Sequence, residues 1–348
     1  MKPAKIITIV GARPQFIKAA VVSRAIRKRD GISEVMVHTG QHFDPEMSAV
    51  FFRELGIPEP AYHLHIHGGA HGDMTGRMLI ALEPVMMKEK PDWVVVYGDT
   101  NSTLAGALVA VKLHIPIAHV EAGLRSYNRR MPEEINRLIV DHLSSLQLCP
   151  TRTAVENLAR EGIQTGVHQV GDVMYDAALF AVGQARTNPS IQDRLGLQSR
   201  YYAVATVHRA ENTDDPVQLR KIIDFLSECG RETPVVLPLH PRTRQAAERM
   251  GISMGGLKVV EPLGYLDITQ LLSGACTVYT DSGGLQKEAY FHRVPCVTLR
   301  SETEWVETVE YGWNRLWSQP SYLPRREITE YGDGRAGYKI VDVLKASA

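Results

Sequence analysis

The chain has few cysteines. There are four in 348 residues, and Cys149, Cys229, Cys276 and Cys296 each sit singly beside an apolar run with no Cys-x-x-Cys among them. This argues against a disulfide framework or a thiolate metal centre and for buried, reduced thiols. A surplus of either charge is also missing: 39 Lys+Arg stand against 39 Asp+Glu. No global field therefore draws nucleic acid or an anionic membrane, and neither is expected as a partner. Any anionic ligand must be held locally. No window reaches the roughly 18–20 uninterrupted apolar residues of a membrane span. The first ten residues lack the long apolar core and small-residue site of a cleavable signal and read as a strand. These absences together predict a cytoplasmic protein. The dinucleotide signature G-x-G-x-x-G is absent as well. The first turn, Gly11-Ala12-Arg13-Pro14, holds one glycine, so neither NAD nor any other cofactor is expected.

What is present is an ordinary soluble composition, 44% apolar and 22% charged, in a chain longer than one hydrophobic core supports. Short apolar runs alternate with helical patterns throughout. Strand-like segments at 5–10, 34–38, 94–97, 115–120, 146–149 and 167–170 alternate with helices at 15–28, 44–55, 73–90, 103–112, 133–143 and 152–160. After the polar run Arg186-Thr187-Asn188-Pro189-Ser190 a second series follows, with strands at 202–206, 234–239, 257–260, 277–280 and 295–298. The alternation predicts an α/β fold of two Rossmann-like, doubly wound domains with parallel sheets. Residues 1–171 form the first, 172–334 the second, and an amphipathic helix over 335–348 packs back on the first. A cleft between the two halves is the expected ligand site.

Chemistry-bearing residues collect at the predicted C-terminal ends of strands, the edge at which open α/β sheets bind ligands. Val94-Val95-Val96-Tyr97 ends in Gly98-Asp99, and the next strand ends in Glu121-Ala122-Gly123-Leu124-Arg125. Pro132-Glu133-Glu134 opens the following helix. Asp99, Glu121 and Glu133 are thus candidates for acid–base work in one site, against the alternative that Glu121 or Glu133 only orients Arg125 or Arg137. Arg13 and Lys18 lie at the mouth and first turn of the first helix, where an anion also finds free N–H groups. In the second half, strand ends carry His208-Arg209, His240-Pro241-Arg242 and Asp281-Ser282-Gly283-Gly284, the last leading into a helix with Gln286 and Glu288. Small residues at a helix start let backbone N–H groups approach a phosphate closely, although one Ser-Gly-Gly alone is equally well a capped tight turn. His63, His65 and His67 at period two point to one face of an extended segment, with His71 just beyond. Ligands from a single segment suit a metal poorly, and no metal is expected.

Six motifs in this order resemble the non-hydrolysing UDP-N-acetylglucosamine 2-epimerases: Gly11-Ala12-Arg13-Pro14-Gln15-x-Ile17-Lys18, Gly98-Asp99-Thr100, His119-Val120-Glu121-Ala122-Gly123-Leu124-Arg125, Pro132-Glu133-Glu134-x-Asn136-Arg137, His208-Arg209-x-Glu211-Asn212 and Asp281-Ser282-Gly283-Gly284-x-Gln286-x-Glu288. The resemblance covers residues 11 to 288. It implies the GT-B architecture, a UDP-sugar substrate and a homodimer. It also implies that Arg13, His208, Arg209, Ser282, Gly283, Gly284 and Glu288 hold UDP, with Glu288 accepting from the ribose hydroxyls, and that Asp99, Glu121, Glu133, Lys18 and His208 act at the reacting sugar. The implied reaction eliminates UDP to give a 2-acetamidoglucal and adds it back after reprotonation of C2 from the other face. Acids clustered in a closed site are expected to raise one another's pKa.

Many family members also bind a second UDP-N-acetylglucosamine through a Gln-containing loop. Here Gln41 is retained, but the loop reads Gly68-Gly69-Ala70-His71-Gly72-Asp73-Met74. The loop from His67 to Arg77, with Thr303-Glu304-Trp305, is more similar to the branch acting on UDP-2,3-diacetamido-2,3-dideoxyglucuronate in O-antigen and lipopolysaccharide synthesis. The 6-carboxylate of that sugar calls for an added cation, for which Arg77, Arg129 and Arg130, with His71 on the loop, are candidates. A GT-B glycosyltransferase or a hydrolysing 2-epimerase are the alternatives that share the nucleotide site.

Overall fold

The computed structural model describes residues 3–41, 52, 54–185 and 189–347. The helix expected over 44–55 falls largely outside the described residues, as do Arg186, Thr187 and Asn188. By its contacts the chain divides into two units, Met1–Ala177 with Thr329–Ala348, and Ala178–Ile328.

The first unit runs β1 (Ala4–Val10), α1 (Arg13–Arg27), β2 (Ile32–His38), β3 (Tyr62–His63), α2 (His71–Glu89), β4 (Trp93–Tyr97), α3 (Asn101–Lys112), β5 (Ile117–Val120), α4 (Pro132–Leu143), β6 (Leu146–Cys149), α5 (Arg152–Arg160), β7 (Val167–Gln169) and α6 (Val173–Ala185), the last continuing into the second unit. The seven strands are parallel, in the order β3-β2-β1-β4-β5-β6-β7. The central strand β4 is buried at every position, the signature of a parallel strand covered on both faces. Ile7 and Ile9 of β1 and Val94 and Val96 of β4 pack against α2 and α3. Gly106 brings α3 close, because a Cβ there would press on Ile9 and Val96.

The second unit runs α7 (Ile191–Leu195), β8 (Ala203–Thr206), α8 (Ala210–Thr213), α9 (Pro216–Glu232), β9 (Val235–Pro238), α10 (Pro241–Met250), β10 (Lys258–Val260), α11 (Tyr265–Gly274), β11 (Thr277–Thr280), α12 (Gly283–Phe291), β12 (Cys296–Thr298), α13 (Val306–Glu310) and β13 (Asn314–Leu316). Its sheet is also parallel, ordered β10-β9-β8-β11-β12-β13. Apolar clusters lie on both of its faces, one built on Val235, Leu237 and α9, the other on Val204, Val278 and α11. Two doubly wound, Rossmann-like units are the pair that defines the GT-B class. In each, strand order reverses once, between β1 and β4 and between β8 and β11, and such a switch point is where an open sheet binds its ligand.

The expected elements appear with ends shifted by a residue or two. Two edge strands, β3 and β13, are two and three residues long, too short to carry a period. The histidine segment departs from expectation: only Tyr62–His63 is strand, and His65 has φ +52°, which breaks the single extended face. His63 and His65 stack, with ring centroids 5.7 Å apart. Among the described residues no group of three metal-ligating side chains forms, and no helix is long and apolar enough to cross a membrane.

The last helix, α14 (Ala336–Ala346), packs on α1, and Gly337 permits this because a Cβ there would press on Val21. Its N-terminal Gly337 N–H donates to Asp176 Oδ2 at 3.0 Å. Burial pushes the Asp176 carboxyl up to about 6, against the opposing hydrogen bonds from Gly337 and Ala336. A raised acid favours the folded state only while protonated, so this contribution is intact below about pH 4 and is lost as pH rises through about 6. Asp176→Asn should therefore raise stability by about 2 kcal/mol at pH 8 and change it little at pH 4, as read by urea unfolding at the two values.

Candidate active site

The first switch point begins with the β1–α1 turn. Gly11 is required there because a Cβ would overlap the hydroxyls of Thr39 and Ser102. Those hydroxyls lie 2.8 Å apart, and Ser102 donates both its N–H and its hydroxyl to Gln41 Oε1. Gln15 closes the helix start. Its Oε1 accepts from the N–H groups of Gly11 and Ala12 at 2.8 and 3.0 Å, and its Nε2 donates to the Tyr97 carbonyl and Thr103. This locks the mouth of α1, which carries the half-buried Arg13, to the ends of β1 and β4. One turn further along α1, Lys18 is buried.

Lys18 Nζ donates to Glu121 Oε1. Both side chains are at least nine-tenths buried, so the pair is held where water screens it little. Gly98 lies against it: a Cβ at Gly98 would sit 3.1 Å from Lys18 Nζ and 3.5 Å from Glu121 Oε1. Glu121 itself has φ +70°, a left-handed conformation that costs a non-glycine residue about 1 kcal/mol or more. Backbone strain of this kind persists only where the surroundings over-determine it. Here Glu121 N–H is held by the Leu148 carbonyl at 3.1 Å.

Asp99, at the end of β4, accepts from Arg137 through Nε at 3.0 Å and Nη2 at 2.6 Å, and its carbonyl accepts from Asn136 Nδ2 at 2.8 Å. Arg137 also donates to Glu134 at 2.7 Å. Burial pushes Glu134 up, but the Ser126 N–H and Arg137 outweigh it and hold the carboxyl below its ordinary range. Glu133 is half-buried, and among the described residues its carboxylate makes no hydrogen bond or ion pair. Glu121 thus meets Lys18, and Asp99 meets Arg137. Nor does Glu121 or Glu133 orient Arg125, which pairs with Asp141 and Glu161.

Behind these turns lies a network for which sequence reasoning assigned no role. His119 is fully buried, with Nδ1 2.7 Å from Asp141 Oδ1 and Nε2 2.7 Å from the Gly98 carbonyl. Asp141 Oδ2 accepts from the Gly123 N–H at 3.1 Å and faces Arg125 at 2.7 Å. Arg125 in turn makes a two-pronged pair with Glu161 at 2.7 and 2.6 Å. Burial would raise Asp141, yet His119 and Arg125 outweigh it and hold the carboxylate below its usual range. The available signal was an aspartate in the buried register of α4, one turn past Arg137.

Of the loop candidates, His71 Nδ1 lies 3.1 Å from Asn101 Nδ2, and Asn101 is adjacent to the Asp99–Thr100 turn. Arg77 braces its own loop, pairing with Asp73 at 2.7 Å and donating to the Gly68 carbonyl at 2.7 Å. Arg129 and Arg130 are exposed, and among the described residues their guanidinium groups have no partner.

In the second unit Asp281 organises the switch point. Fully buried, its Oδ2 accepts from the N–H groups of His208 and Arg209, both at 2.9 Å, and from Asn212 Nδ2 at 3.1 Å. His208 Nδ1 lies 3.3 Å from its other oxygen. Ser282 caps α12, and among the described residues the N–H groups of Gly283 and Gly284 have no acceptor. Two free donors at a helix start suit an anion. Gly283 lies close to Glu304, whose carboxylate a Cβ there would displace. Glu304 lies 3.0 Å from Arg300 and 3.8 Å from Arg209. Glu288 is buried on α12. Lys287, beside it, sets its ammonium 3.6 Å from the centre of the Trp305 ring.

Comparison with known proteins gives consistent matches. The family model described as UDP-N-acetylglucosamine 2-epimerase matches residues 24–345. The chain is 57% identical over 317 residues to the UDP-2,3-diacetamido-2,3-dideoxy-D-glucuronate 2-epimerase of Pseudomonas aeruginosa, covering 90% of this chain and 88% of that one. It is 50% identical to a UDP-N-acetylglucosamine 2-epimerase homolog of Methanococcus maripaludis, covering 98% and 99%. Among solved structures it resembles the UDP-GlcNAc 2-epimerase of Methanocaldococcus jannaschii in complex with UDP-GlcNAc and UDP, with a TM-score of 0.89 and 40% identity over 99% of this chain and 100% of that one.

Removing the Asp281 carboxylate would strand three donors at this buried acceptor, each worth about 1–3 kcal/mol where water cannot reach it. Asp281→Ala should lose roughly 3 kcal/mol or more in chemical denaturation, whereas Asp281→Asn, which keeps one acceptor, should lose less.

Proposed function

The chain belongs to the UDP-N-acetylglucosamine 2-epimerase family, and from that membership we propose that it inverts carbon 2 of a UDP-linked 2-acetamido sugar without hydrolysing it. The observation that carries this reading is the buried Lys18–Glu121 pair at the end of β5, with Asp99 at the end of the neighbouring β4. Proton-handling carboxylates are what inversion at an unactivated carbon requires. C2–H flanks no carbonyl, so the proton cannot simply be lost. In the elimination a carboxylate takes the C2 proton and the C2–H electrons become the C1–C2 double bond. The C1–O electrons leave with UDP. Reprotonation of C2 from the opposite face and re-addition of UDP complete the inversion.

Asp99, Glu121 and Glu133 are the proton-handling candidates, and Lys18 holds Glu121 in place. Arg13, His208 and Arg209, with Ser282 and the free N–H groups of Gly283 and Gly284, answer the charge that develops on departing UDP, usually the largest catalytic term. Glu288 serves the ribose hydroxyls. No resident cofactor or metal takes part in this scheme.

The substrate we favour is the diacetamido-uronate, supported by the 57% identity to an enzyme named for it. Arg129 and Arg130 are exposed cations free to meet a sugar 6-carboxylate, while Arg77 is engaged within its loop. We further propose a cytoplasmic homodimer supplying surface polysaccharide or O-antigen synthesis.

Incubation with UDP-sugar in D2O, without acceptor, tests the reaction. Deuterium at C2 with UDP still attached is the expected result. Release of free UDP and sugar would make the enzyme hydrolytic, and no change without an acceptor would make it a transferase. Efficient interconversion of UDP-GlcNAc and UDP-ManNAc with no action on the diacetamido-uronate would overturn the substrate assignment. Asp99→Asn and Glu121→Gln should each lower turnover by at least ~10²-fold while calorimetry shows UDP binding largely intact. Equal loss of both would mark the residue as structural.

A further inference from the structure

We propose that His119 is held as a buried imidazolium, and that this fixed cation is the positioning residue that sets the Gly98–Asp99 turn against Glu121. The argument starts from what each ring nitrogen faces. Nε2 lies 2.7 Å from the Gly98 carbonyl oxygen, which can only accept, so Nε2 carries a hydrogen. Nδ1 lies 2.7 Å from Asp141 Oδ1, and a single proton occupies that contact. The second oxygen of Asp141 receives the Gly123 N–H and faces the Arg125 guanidinium at 2.7 Å. Donors converging on a carboxylate favour its ionised form, so the shared proton rests on the ring.

The charges balance. His119 and Arg125 are the cations, Asp141 and Glu161 the anions, and the four form one connected set. The Cys149 thiol also faces it and, pushed up by burial and by Asp141, is neutral.

The consequence falls on the active-site turn. If the ring lost the Nε2 proton, a lone pair would face the Gly98 carbonyl at 2.7 Å and the turn would have to move. Gly98 lies against both Lys18 Nζ and Glu121 Oε1 and precedes Asp99, so its displacement would disturb both strand-end acids together. Asp141 braces the second turn as well, through the Gly123 N–H. One buried ion pair thus fixes two catalytic turns.

The protonation state stands independently of the proposed reaction, while its effect on turnover rests on that reading. The first test is nitrogen-15 NMR of the full chain with labelled histidine between about pH 6 and pH 9. One of the 13 histidines should keep both ring nitrogens protonated throughout, with two slowly exchanging ring N–H signals, and His119→Gln should remove that pair of signals. A spectrum with no doubly protonated histidine at pH 9 overturns the proposal, and needs no variant. The second test is Asp141→Asn, which removes the counter-charge. It should abolish the persistent imidazolium and lower kcat for the UDP-sugar by ~10- to 100-fold with KM changed less than about threefold. Survival of the imidazolium, or a rise in KM matching the fall in kcat, would refute the positioning role. Failure of UDP-sugar turnover in the wild-type protein, with the imidazolium present, would refute the proposed reaction and leave the protonation state standing.

Discussion

A carboxylate buried at the end of a parallel strand needs a cation or converging donors beside it to stay ionised, and the first unit is organised by how it supplies them. Buried Glu121 is met by Lys18 from α1, and half-buried Asp99 by Arg137 from α4. Each pairing crosses between elements distant in sequence, so the sheet and its helices must be in register before either acid has its partner. Desolvation makes such a pair costly to half-remove. That explains why the supporting contacts are dense: Gln15 fastens α1 to the ends of β1 and β4, and Gly98 leaves room where a side chain would intrude. The left-handed backbone of Glu121 falls at this same pair.

Helix α4 concentrates the supports. Within three turns it provides Asn136 to the Asp99 carbonyl, Arg137 to the Asp99 carboxylate and Asp141 to His119 and Gly123, while Glu134 holds the Ser126 and Tyr127 N–H groups. The second unit solves a related problem with one residue. Asp281 gathers backbone donors from His208 and Arg209 and so shapes the loop after β8 from the end of β11. In both units a buried carboxylate inside the switch point sets the geometry of residues that face outward. Chemistry and scaffolding are divided between different acids.

Much of the fold was legible because it is written in local pattern. Apolar runs ending in glycine and acid placed β4 and β5, and the β–α alternation indicated two parallel sheets. Edge strands of two or three residues carry no such pattern, and in the histidine run the positive φ of His65 defeats a simple period-two reading. The candidate residues were legible as motifs, but their pairings were not. Sequence spacing placed Arg137 one turn after Glu133 without telling that it would turn to Asp99 on another element. Asp141 and Asp281 were harder still. Their partners lie on other elements, His119 and Arg125 for Asp141 and the loop after β8 for Asp281, so no spacing within one element announces the pairing.

The proposed elimination requires that the C1–O bond to UDP break in every catalytic cycle. Positional isotope exchange measures that directly. With oxygen-18 in the bridge between C1 and the β-phosphorus, the label should scramble into the non-bridging β-phosphate oxygens as C2 inverts. Inversion at C2 with the label still confined to the bridge would contradict elimination and the roles given to the acids at the ends of β4 and β5.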